Sequence, residues 1–160
     1  MNQCKQITTI CLAIIPMMVS AQIGSKLKSV ISYTAGKNIL KTEVQGAYIM
    51  QDIQTAQKEL TTVIYNMDSM AVAISLQRTD TFFSVDEIEQ YIKINTPEYK
   101  PERKAVVENV SYHWDTAHQV ALIIHYESRE KGLGITNFVL CKDQALITYW
   151  TKAVTAWVTE

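Results

Sequence analysis

The sequence predicts an α+β fold in which an antiparallel β-meander is covered on one face by a helix. Three observations carry that expectation. Ser84-Val85-Asp86-Glu87 has the S-x-x-E form of a capping box, and Val85, Ile88, Tyr91 and Ile92 behind it share one helical face until Pro97 ends the pattern. Ahead of it, two runs rich in β-branched and aromatic residues flank Met67-Asp68-Ser69, as in a hairpin. Behind it, four short apolar segments follow one another across tight turns, which is the pattern of an antiparallel meander. A sheet with one apolar face needs a cover, and the capped helix supplies it.

Residues 1 to 21 read as a secretory signal peptide. A short start carries Lys5, an apolar stretch runs from Ile7 to Met18, and Val19-Ser20-Ala21 offers the small residues a signal peptidase requires, so cleavage is expected before Gln22. Pro16 breaks the apolar helix ahead of that site, and the stretch is shorter than the roughly 20 residues a membrane span needs. The expected mature protein is a single exported domain of residues 22–160, periplasmic or secreted, with no stable membrane anchor. Cys4 and Cys11 leave with the signal, so Cys141 remains alone and cannot form an internal disulfide.

From Gln22 to Lys58 the pattern is indistinct. Gly36 and Gly46 mark turns, Ile49, Ile53, Ala56 and Leu60 fit helical spacing, and Tyr48, Met50 and Asp52 alternate as in a strand. Thr61–Asn66 and Met70–Gln77 form the expected hairpin, and the helix is expected over about residues 85 to 94. Asn95–Lys104, with Pro97 and Pro101, reads as a surface connector. Val106, Val110, Tyr112 and Trp114 then alternate as one half-buried strand, interrupted by Glu108 on its apolar face, with His113 and Asp115 toward solvent. Val120–Glu127, Ile135–Cys141 and Ala145–Thr151 read as the next three strands. Ala153, Val154, Trp157 and Val158 fit a short terminal helix or extension packed on the sheet. The order of two strands, a helix and a meander is similar to several small envelope-domain folds, including the PsbP type. That similarity is one of element order and transfers no functional residue.

Composition narrows the function classes. Hydrophobic residues make up 48% and charged residues 19%, which describes a folding chain rather than a disordered one. The 15 basic and 16 acidic side chains nearly cancel, with no long run of like charge, so nucleic acid is not an expected partner.

No motif fixes a reaction, and no cofactor is expected. His113, Asp115 and His118, with His125 or Glu127, are the right ligand types for a divalent ion, but their spacing matches no metal signature and also suits a polar turn. Cys141 is a nucleophile only if a histidine stands beside it; otherwise it is a small apolar side chain. Gly132-Leu133-Gly134 lacks the setting of a phosphate loop, and Asn109-Val110-Ser111 is a glycosylation sequon only in a eukaryotic host. Trp114, Trp150 and Trp157, with Tyr112, Tyr126 and Tyr149, suit either the core under a helix or a protein-binding surface. The expectation is therefore an exported, non-catalytic binding domain with a protein partner. A carrier of a small apolar ligand and a histidine-centred metal protein are the alternatives.

Overall fold

The computed structural model describes residues 23–24, 38–56, 58–130 and 132–158. The signal-peptide reading of residues 1 to 21 and the turn at Gly36 lie outside them. Eight strands, β1 (Asn38–Gln45), β2 (Tyr48–Ala56), β3 (Glu59–Tyr65), β4 (Ala71–Arg78), β5 (Arg103–Val107), β6 (Val110–Asp115), β7 (Val120–Arg129) and β8 (Gly132–Cys141), form one antiparallel sheet in the order β1-β2-β3-β4-β8-β7-β6-β5. Helix α1 (Val85–Asn95) joins the two meanders, and helix α2 (Gln144–Val158) ends them. The α+β meander fold is as the sequence predicts. Four strands rather than two precede the first helix, so the element order differs from the expected one.

The capping box forms as expected. Ser84 Oγ accepts from the Glu87 N–H at 3.2 Å, and the Glu87 carboxylate accepts from the Ser84 N–H at 2.8 Å. Behind that cap, Ile88, Tyr91 and Asn95 face the sheet. Tyr91 and Phe83 meet the ring of Phe138 edge-on, at 5.3 and 5.0 Å, which seats α1 over β8. Arg78, at the end of β4, ties the same corner together: its guanidinium pairs with Glu59 and with Glu87 at 2.9 Å each and lies 4.1 Å over Phe83. On this first face Ile53, Val63, Tyr65, Ile74, Leu122, Phe138 and Leu140 make the main core.

The structure corrects three sequence expectations. Residues 106 to 114 are not one strand but the facing ends of β5 and β6, because Glu108 adopts a left-handed φ of 52° in a tight turn before Asn109. The Tyr126 N–H donates to the Asn109 carbonyl, and Asn109 Nδ2 donates to the Tyr126 carbonyl, which holds that turn against β7. Residues 145 to 151 are helical rather than a strand. Asp143 caps α2 by accepting from the Leu146 N–H at 2.9 Å, and Leu146, Ile147 and Trp150 then pack as one helical stripe. A local cap and a packed stripe outweigh the β-branched composition.

The third correction follows from the second: the sheet is covered on both faces. Ala73, Ala121 and Cys141 lie opposite one another across β4, β8 and β7, and their small side chains let α2 approach the second face closely. Tyr112 stacks on Trp114 at 5.8 Å, and Trp114 and Trp150 pack with Ile123 and Val139 there. The alternation in β6 is therefore real, but His113 and Asp115 point to the α1 side, not to solvent. Asp115 is 1% exposed.

Candidate ligand-binding groove

Helix α1 is too narrow to close the whole first face. Its residues Ile88, Tyr91 and Asn95 meet the sheet, while the neighbouring stripe of Val85, Ile92 and Glu89 looks along it toward β7, β6 and β5. The strip of sheet left beside the helix carries Leu122 and Ile124 from β7, His113 from β6 and Lys104 from β5. Between helix flank and sheet lies a groove of about 480 Å³.

The connector of residues 96–102 forms one end of this groove with Pro97, Tyr99 and Pro101. Its course is fixed by polar anchors. The buried Asp115 carboxylate accepts from the Lys100 N–H, from the His118 N–H at 3.0 Å and from His118 Nδ1 at 2.9 Å. Burial pushes the Asp115 carboxyl up, but these donors outweigh it and hold its pKa below the ordinary aspartate value. The Glu102 N–H donates to the Trp114 carbonyl, and Glu98 pairs with Lys142 at 2.6 Å.

The groove is apolar at its floor and polar at one end. Burial, with the charge of Lys104, lowers the His113 pKa, so the imidazole is neutral at pH 7; its Nε2 lies 3.2 Å from Ser111 Oγ. The Tyr99 hydroxyl is buried and has no hydrogen-bond partner among the described residues. Burial raises its pKa, and the Asp115 charge adds to that, so it remains a neutral donor. Glu89 and Lys93 from α1 and Lys104 from β5 line the opening.

The sequence-nominated histidines do not converge. His113 is on the first face. His125, between Val110 and Asn137, is on the second, and His118 is spent on Asp115 in the β6–β7 turn. Among the described residues no group of three or more His, Cys, Asp or Glu side chains is placed to hold a metal ion.

Cys141 is fully buried under α2, with its Sγ 3.4 Å from the Asp143 N–H. Burial raises the thiol pKa to about 12, which keeps it protonated and unreactive. Gly132 and Gly134 belong to β8: Gly132 takes a φ of 103° where the chain turns, and Phe82 lies directly over Gly134. Of the aromatic set, Tyr112, Trp114 and Trp150 are core, Tyr126 lines the groove and Tyr149 is 69% exposed. The groove was missed in the sequence because its floor residues, Leu122 and Ile124, read as ordinary core positions.

Comparison with protein-family models, curated proteins and solved structures finds no match. The groove therefore has to be interpreted from its own chemistry.

Proposed function

We propose that this chain is an exported, non-catalytic binding domain that holds a small amphiphilic ligand in the groove beside α1. The groove itself carries the reading. An open groove of about 480 Å³ lined by Ile88, Ile92, Leu122 and Ile124 lies in the range of small-molecule sites. Such sites are mainly apolar, with a few placed polar groups. Here Lys104 and His113 place a cation and a neutral imidazole at one end, which suits a ligand with an apolar body and an acidic or hydrogen-bond-accepting head. The export-signal pattern at residues 1 to 21 supports a carrier or sensor role outside the cytoplasm, and among the described residues no helix is long and apolar enough to cross a membrane.

The test is calorimetric titration with dodecanoate, dodecanol and dodecylamine, on the natural sequence and on Ile92→Trp, which places an indole in the groove from the helix flank. Dodecanoate is expected to bind tightest and to lose at least tenfold in affinity in a variant that still melts cooperatively. Equal binding to both proteins would place the ligand elsewhere, and no binding by any of the three would end the proposal. A protein partner is the second reading, favoured by exposed apolar side chains on the edge strand β1.

A further inference from the structure

Strand β1 ends the sheet, so the outer side of its backbone has no neighbouring strand among the described residues. Exposed edges are usually guarded by charge, proline, cover or a bulge, and β1 has a bulge at its Leu40 end. This one carries Ile39, Leu40 and Val44 at 43%, 59% and 71% exposure. Its charges, Lys41 and Glu43, sit two residues apart on one face and pair with each other at 2.6 Å, so they cancel instead of repelling an incoming strand.

The order of these residues has a further property. Turned end for end about Thr42, the stretch from Leu40 to Val44 matches itself: Leu40 falls opposite Val44, Lys41 opposite Glu43, and Thr42 opposite a second Thr42. An antiparallel pair related by a twofold axis makes the apolar and the cation–anion contact twice each and the Thr42 contact once, on the axis. The register shift between Ile39 and Lys41 leaves Leu40 as the extra residue of a bulge, and the regular ladder runs from Lys41 to Gln45, with Thr42 inside it. The opposite edge, β5, lacks the property. Turned about Ala105, it sets Lys104 against Val106 and Arg103 against Val107.

We propose that β1 is a self-recognition edge: two copies of the chain pair antiparallel through Leu40–Val44, centred on Thr42, and join their eight-stranded sheets into one. The groove lies at the far side of each sheet, between α1 and β5–β7, and stays open in the pair.

The experiment is sedimentation equilibrium of the mature chain over a concentration series from micromolar to near-millimolar. The wild type is expected to approach twice the monomer mass. Lys41→Glu and Glu43→Lys each place like charges opposite one another twice, and each is expected to sediment as a monomer at concentrations where the wild type is paired. Mixing the two variants is the decisive step, because every opposed position then carries unlike charges across the axis and a heterodimer is expected to form. Loss of the intrachain Lys41–Glu43 pair cannot produce that result.

A wild type that stays monomeric, single variants that pair like the wild type, or a mixture that stays monomeric each overturns the proposal. Should either variant fail to fold, amide exchange of the wild type decides instead. Protection at Thr42 and its neighbours that rises with protein concentration is expected, and protection independent of concentration refutes the pairing.

Discussion

Phe138 is 1% exposed in the middle of β8, the strand that joins the two meanders, and both Phe83 and Tyr91 meet its ring edge-on. Phe138→Ala removes the ring from beneath α1 and leaves a cavity that rigid strands on both sides cannot close. Buried Phe-to-Ala changes cost about 3–5 kcal/mol. Each aromatic edge contact adds about 0.5–1.5 kcal/mol beyond its area, so the expected loss is about 4 kcal/mol. Against a typical total of about 5–15 kcal/mol this is a large share. At about 3 °C per kcal/mol for a domain of this size, the melting temperature falls by about 12 °C.

Urea unfolding followed by tryptophan fluorescence measures the loss, and a double-mutant cycle with Tyr91→Leu tests its cause. If α1 sits on β8 through these rings, the two changes couple by about 1 kcal/mol. Additivity within about 0.3 kcal/mol, or a Phe138→Ala loss below about 1 kcal/mol, would refute the placement of α1.

Gly134→Ala should destabilise by about 1–3 kcal/mol, as overpacking does, because a Cβ there falls 2.3 Å from Phe82 Cγ. Pairing it with Phe82→Ala should recover part of the loss in the same urea assay. Asp115 predicts an acid dependence. Its folded-state pKa lies below the unfolded value, so the unfolded chain takes up the proton first, and its contribution is complete above about pH 4 and lost as the pH falls through the folded-state value. Asp115→Asn should therefore flatten the fall in stability below about pH 4, and parallel pH curves for the two proteins would contradict the assignment.

Much of the architecture was legible in the sequence wherever a local signal and the tertiary outcome agree. The Ser84 cap with its apolar stripe, the β3–β4 hairpin and the β7–β8 strands are such places. It was illegible where a single residue decides the backbone. Glu108 turns the chain with a positive φ that glycine or asparagine normally supplies, so a hairpin reads as one strand with a misplaced charge. Asp143 starts a helix whose first turns, Ala145 to Thr151, are composed like a strand.

The candidate site was less legible still. His113 and Asp115 are visible as a pair, but the alternation of β6 reads their face as solvent, because nothing in β6 alone reveals that both sides of the sheet are covered. The groove exists because one helix is narrower than five strands, a fact no window of sequence contains.

The strand order has a consequence for how the molecule comes into being. β8 is the last strand in the chain, yet it lies between β4 and β7, and Asn137 on it donates to Ser75 on β4 across 62 residues. Until β8 is available, β4 is itself an open edge carrying Ala73, Ile74 and Leu76, and the two meanders have no strand in common. Assembly must wait for the chain to be nearly finished, and contacts so distant in sequence form slowly. A protein cut short before Ile135 would present, at its sticky centre rather than its rim, the surface most prone to pairing with a stranger.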